Sequence, residues 1–404
     1  SRETRGHRHH HPGAIYLADP ASYAPLLETE GNVIPDFATR REAIRAQVAE
    51  AAVRVKGRAV IEEALLDEVT GLVEWPVAVL GEFDRQFLEV PAEALISSMQ
   101  GHQKYFPVVD DQGQLMPSFV AVANIASHDP LEVRRGNERV IRPRLADADF
   151  FWRQDRKQPL REQLDKLKSV VFQRKLGTLY DKSERVAHLA DHIAERLGGD
   201  NEQARRAAFL SKCDLMSQMV DEFPDLQGVM GRYYALHDGE PEAVAEAIDQ
   251  HYRPRFGGDT IPEGVTAQAV AVADKLDTIC GIFAVGEAPS GDKDPFGVRR
   301  AALGVLRILI EGQLDLDLVD LLRETDRAYG EAVTVSETAV QAVFDYMLER
   351  LRGYYHEQGF TPDTFEAVLE RRPTRPYDFD RRLRAVAEFR ALPEAESLAA
   401  ANKR

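Results

Sequence analysis

The chain has 404 residues, of which 44% are hydrophobic and 29% charged, with a formal charge of −16. That length predicts two or three domains, because one hydrophobic core rarely grows so large, and the composition is that of a globular protein. No run approaches the ~18 apolar residues of a membrane helix, and the segment SRETRGHRHHHPG lacks a signal peptide's apolar core, so a cytoplasmic location is expected. Cys213 and Cys280 are the only cysteines and form no CxxC pair, which excludes a disulfide framework and a cysteine zinc site.

In chain order, His7, His9, His10 and His11 open the sequence in a loop without rigid ligand geometry; a surface loop or a phosphate contact is expected there rather than a metal site. Pro35 to Arg58 reads as a helix, with Ile44, Val48, Ala51 and Val55 at helical spacing and Thr39 as N-cap. Ile61 to Val73 continues in helical mode. VEWPVAVLGEF is a short apolar run, and KYFPVVDDQGQLMPSFVAVANI is two β-rich runs joined by Asp111-Gln112-Gly113, a hairpin signal. Pro143 is expected to open a helix through Trp152, Asp181 to cap one reaching Leu197, and Ala204 to Val220 to form the next. Thr266 to Phe283 is helical, as is Pro295 to Gly312 with Asp294 as N-cap and Pro295 at the first helical position. The expected organisation is an α+β N-terminal domain over 1–140 (helices plus a small antiparallel sheet) followed by a mostly all-α body, divided at 141–312 and 313–404.

The net acidity excludes a general nucleic-acid coat, since phosphate binding is driven by Lys and Arg releasing counterions. Cationic charge is nevertheless concentrated. Residues 134–144 hold five Arg against one Glu, and residues 371–384 hold six Arg against two Asp. A polyanion would be confined to such faces; the alternative is that these arginines pair with acidic neighbours or a partner subunit. The RNA or subunit-contact candidates are Lys104, Arg134, Arg135, Arg142 and Arg144; Arg299 and Arg300, in the first turns of a capped helix; and Arg371, Arg372, Arg375, Arg381, Arg382 and Arg384, interleaved with Tyr377 and Phe379.

One further constellation concerns hydrolysis. DKSERVAHLADHIAERL, ARRAAFLSKCDLMSQMV and AVAVADKLDTICGIF resemble the HD superfamily of metal-dependent phosphohydrolases, with His188 in the first position and Asp274 in the last. The central His-Asp doublet is missing: one register gives Cys213-Asp214, another Ser211-Lys212. Loss of a central ligand weakens metal binding, so the expectation is a degenerate HD-like helical scaffold at 141–312 holding no metal. No P-loop, GxGxxG, HExxH or nucleophile elbow is present, nor any synthetase adenylation signature.

The phrases LVEWPV, HQKYFPV, GNERVIRPRLADADFF, KLGTLYDK, QGVMGRYYA, ADKLDTICGIF, GDKDPFGVRRAALGVLRI and RRPTRPYDFD resemble the β subunit of the bacterial two-subunit glycyl-tRNA synthetase along essentially the whole chain. The resemblance implies a tRNA-binding subunit without catalytic residues of its own. It also implies an α subunit as partner in an α2β2 assembly, with glycine, ATP and Mg handled by α. It further implies a fragment, lacking the family's leading region and most of its C-terminal anticodon-binding domain. Two alternatives stay open: an HD-type phosphohydrolase or aminoacyl-tRNA deacylase, and a purely structural scaffold for the α dimer.

Overall fold

The computed structural model describes residues 2–330, 337–392 and 394–395. The end of the expected helical block, with Ala401 to Arg404, lies outside the described residues. The chain divides into two compact units, residues 1–155 with 222–226, and residues 156–221 with 227–404.

In the first unit β1 (Glu3–Arg5) and β2 (Ala14–Tyr16) pair as a small ribbon, followed by α1 (Tyr23–Thr29), α2 (Phe37–Val53), β3 (Arg58–Ala59), α3 (Glu63–Leu72), β4 (Val77–Glu82), α4 (Ala92–Gln103), β5 (Phe106–Val109), β6 (Leu115–Ala123) and α5 (Pro130–Asp155). The four-stranded sheet has the order β3-β5-β6-β4 and is antiparallel throughout. Ile44, Val48 and Ala52 of α2 and Leu66 and Val69 of α3 pack on Phe106, Val108 and Val120 to form the core. With all of β5 buried, the period-two alternation of an exposed strand is lost there. At Gly81 a Cβ would sit 2.4 Å from the Phe119 ring, so glycine is what lets β4 lie against β6.

The expected hairpin is present. Asp110 Oδ1 accepts from the amides of Gln112 and Gln114, both at 2.9 Å, and Gly113 supplies the positive φ of 79°. Helix starts differ in detail. Asp36, not Thr39, caps α2, accepting from the Thr39 amide at 2.6 Å. The helix expected to open at Pro143 runs from Pro130 to Asp155 with Pro143 inside it. Ile141, Leu145, Ala148 and Trp152 form a buried stripe that spans the proline, and their packing overrides a local cost of ~3 kcal/mol. The histidine loop is more ordered than expected: His7 is buried, its Nδ1 accepts from the His9 and His10 amides at 3.3 Å, and His10 Nε2 accepts from the Ala126 amide at 3.0 Å.

After a 3-10 helix over Leu160–Ser169 the second unit has β7 (Val171–Gln173) and β8 (Gly177–Thr178), then α6 (Leu179–Arg196), α7 (Asn201–Leu210), α8 (Gln218–Glu222, its last residue counted with the first unit), α9 (Val229–His237), α10 (Glu242–Gln250) and α11 (Val265–Ala284). It continues through α12 (Val298–Glu311), α13 (Leu318–Tyr329), α14 (Glu337–Glu357), α15 (Pro362–Leu369) and α16 (Pro376–Arg390). Apart from the β7–β8 pair, its named elements are helical. Helix α11 is central: nearly every position from Ala267 to Ile282 is buried. Thr178 and Asp181 form a capping box on α6, so the cap lies three residues before the expected one. The helix expected over Ala204–Val220 breaks after Leu210, because Ser211, Asp214 and Ser217 take their hydrogen bonds locally or from a neighbouring turn. Helix α12 starts at Val298 after Gly297 in the left-handed region, while Asp294 still accepts from the Val298 and Arg299 amides at 2.8 and 2.9 Å. Among the described residues no helix is long and apolar enough to cross a membrane.

Candidate functional site

The break after α7 carries Lys212 into the interior, where it meets α6 and α11. Asp274 on α11 faces two ammonium groups, with Oδ1 at 3.3 Å from Lys182 Nζ and 3.4 Å from Lys212 Nζ. Lys182 also donates to the Asp274 carbonyl and Asp277 Oδ2, both at 3.0 Å, and to Thr278 Oγ1 at 2.8 Å. Arg185 Nε donates to Asp277 Oδ1 at 2.6 Å, and Tyr329 donates its hydroxyl to the Asp277 carbonyl at 2.6 Å. Lys275 Nζ donates to the His251 carbonyl at 2.8 Å, and Lys212 Nζ lies 2.7 Å from His251 Nε2.

Burial and Lys212's charge push His251 well below the usual imidazole range. The ring is thus neutral, with Nε2 accepting from Lys212 and Nδ1–H donating to the Ile248 carbonyl at 2.7 Å. Burial lowers Lys212 and brings Lys275 to about 7, against the pull of Asp274. Burial acts to raise Asp274, but the ammonium groups of Lys182, Lys212 and Lys275 outweigh it and hold the carboxyl far below the usual range.

The HD-like positions are not brought together. His188 Nε2 lies 2.9 Å from Glu324 Oε1 on α13, with more than half of its side chain exposed. Asp214 accepts from the amides of Gly228 and Gly231 at 2.6 and 3.0 Å, and burial raises it to about 6. Burial pushes the Cys213 thiol up to about 12. Of the two registers for the doublet, Ser211-Lys212 is the one that reaches Asp274, and it brings an ammonium. The residues present therefore do not fit a divalent ion: a cation beside Asp274 would face Lys182 and Lys212. Among the described residues no three His, Cys, Asp or Glu side chains group so as to hold a metal. A sequence signal for this arrangement exists, since Lys182 falls on the stripe of Val186, Leu189 and Ile193, all buried.

The arginine candidates divide by their neighbours. Lys104 pairs with Glu68 at 3.0 Å, Arg134 with Glu138 at 2.7 Å, Arg135 with Glu132 at 2.7 Å, Arg375 with Asp315 at 2.9 Å, Arg382 with Asp378 at 2.7 Å and Arg384 with Asp380 at 2.8 Å. Arg372 pairs with Asp345. Arg299 donates to the Gly291 carbonyl, and the Arg381 guanidinium lies 5.9 Å from the Tyr377 ring centre. The side chains of Arg142, Arg144, Arg300 and Arg371 are exposed, and among the described residues none has an acidic partner. Arg142 and Arg144 sit on α5, which also exposes Val140 and Phe150.

Arg299 and Arg300 also line a cleft of about 350 Å³ with Arg307 of α12 and Arg350 of α14, which no local pattern in the sequence links. These features define an acidic two-unit protein, α+β then all-α, with four arginines lining one cleft of its second unit. The chain belongs to the family described as glycyl-tRNA synthetase beta subunit, whose model matches residues 1–370. It is similar to proteins named glycine–tRNA ligase beta subunit from Sodalis glossinidius (55% identical over 403 residues), Marinobacter nauticus (54% over 403) and Klebsiella pneumoniae (53% over 403). Each comparison covers 100% of this chain and 58% of the relative's length.

Proposed function

We propose that this chain is the RNA-gripping part of a glycine–tRNA ligase β subunit. It acts beside an α subunit in an α2β2 assembly, with ATP, Mg and glycine handled by α, and contributes no reacting group of its own. The observation that carries this reading is the sorting of its arginines. On an acidic chain many are neutralised by neighbours, whereas Arg142 and Arg144 on α5 and Arg299, Arg300 and Arg350 around the α12 cleft have no carboxylate partner among the described residues. Such placement limits nonspecific RNA coating and leaves affinity to a few phosphate contacts. The hydrolase alternative is disfavoured, because a hydrolytic ion beside Asp274 would have to displace Lys182 and Lys212.

The test is the affinity of tRNA for the chain between about 50 and about 200 mM salt, with α-subunit binding measured in parallel. A steep linear fall of log affinity with log salt is expected. Salt-independent or absent tRNA binding with intact α binding would instead favour the structural scaffold.

A further inference from the structure

The cleft beside α12 has a composition that phosphate binding alone does not explain. Its floor is apolar, made by Pro254, Leu303 and Gly304, and Phe256 stands on its rim with 65% of its surface exposed. Three guanidinium groups around it lack a carboxylate partner among the described residues. Arg299 is oriented by the Gly291 carbonyl. Arg300 is exposed, and Arg350 lies over the Tyr346 ring at 5.0 Å with its Nε buried and without a hydrogen-bond acceptor. Arg307 is different: Glu311 holds it at 2.6 Å and the Asp259 carbonyl at 2.7 Å, so it contributes shape more than charge. The amides at the start of α12 are already taken by Asp294. An anion here must therefore be held by guanidinium groups rather than by the helix terminus.

We propose that this cleft takes one unpaired nucleotide of an RNA strand, its phosphate between Arg299, Arg300 and Arg350 and its base against Phe256 and the Leu303 floor. The inference rests on the RNA-binding reading above and assigns it a site and a substrate form. A paired base offers no free face to Phe256, whereas an unpaired one covers an aromatic ring that water otherwise surrounds. With Arg307 held by Glu311, the other guanidinium groups assigned to the phosphate and no carboxylate or amide side chain lining the cleft to read a base edge, recognition is of the nucleotide form and tolerant of sequence.

The test uses the whole chain and a labelled single-stranded RNA of about eight nucleotides, within the site sizes such grooves cover. The same sequence as a duplex and AMP serve as competitors, and tRNA is measured in parallel. Arg300→Glu is expected to weaken single-strand binding at least ~10-fold and to shallow the salt slope by ~0.7 for each phosphate that is no longer neutralised. Phe256→Ala is expected to weaken it roughly 5- to 150-fold with the slope unchanged, and Phe256→Trp to retain binding with its fluorescence quenched by the RNA. Both positions are exposed, so melting curves matching the unaltered chain exclude misfolding. The proposal is overturned if both weakening variants bind the single strand as the unaltered chain does, if duplex competes equally, or if AMP displaces the strand at low micromolar concentration, which would make the cleft a mononucleotide pocket. Equal tRNA binding by all forms would sink the cleft and leave the tRNA reading standing. Failure of the unaltered chain to bind either RNA would remove both.

Discussion

Replacing Asp274 by Asn keeps the side chain's shape and removes the one carboxylate that faces both Lys182 and Lys212. At 3.3 and 3.4 Å, each ammonium gains about 5 kcal/mol from it at an effective dielectric near 20. The net loss is smaller, because a stranded lysine can release its proton. At pH 7 that costs at most about 5 kcal/mol for a group of ordinary pKa near 10.4, and less for Lys212, which burial has already lowered. The expected destabilisation is therefore that of a broken buried pair, about 3–5 kcal/mol, or roughly a 6–20 °C drop in Tm for a unit of this size. The assay is calorimetry with far-UV circular dichroism; Trp75 and Trp152 both lie in the first unit, so their fluorescence follows that unit separately.

The sign of the pH effect follows from linkage. A lysine whose folded pKa is lowered binds fewer protons folded than unfolded, so stability rises with pH between the two values. For Lys275 that window opens near 7 and closes near 10.5. The Asn variant should rise more steeply across it, because Lys212 and Lys275 lose the Asp274 charge that opposes their lowering. A Tm change under about 2 °C, or a deficit that stays constant from about pH 7 to about pH 9.5, would refute the argument. So would stabilisation of the unaltered chain by added Mn²⁺ or Co²⁺, since the lysines are held to occupy the ion's place.

Three other outcomes are expected. Changing Arg142 and Arg144 together to Ala should shallow the salt slope of tRNA binding by up to ~2, whereas the same change at Arg134 and Arg135, already paired with Glu138 and Glu132, should move it by less than ~1; equal slopes would show that pairing does not sort these arginines. Gly81→Ala drives a methyl into the Phe119 ring and should destabilise the first unit by about 1–3 kcal/mol, read from urea titration followed by tryptophan fluorescence. Pro143→Ala restores a helical amide at an exposed position of α5 and should stabilise that unit by about 1–2 kcal/mol; a loss would mean that the proline shapes the helix for packing.

What was legible in the sequence was short-ranged. The Asp110–Gln114 turn, the buried face of α2 and the extent of α11 each depend on residues within a few positions of one another, so spacing and turn chemistry suffice. Family membership was also legible, because it is carried by contiguous phrases. Helix ends were less so: Thr39, Asp181 and Asp294 marked the right turns but not the capping residues, since Asp36, Thr178 and Gly297 compete within the same few positions.

Tertiary structure alone decided which charges remain available. Arg382 and Arg142 look equivalent along the chain, yet one meets Asp378 and the other meets no carboxylate among the described residues. Lys212 reads as a surface lysine until the break after α7 turns it toward Asp274. Phe256, Arg300 and Arg350 become neighbours only when α12 and α14 pack around the loop after α10. Propensity and periodicity act over a turn or two of chain, whereas neutralisation, burial and cleft formation depend on groups that folding brings together from distant positions.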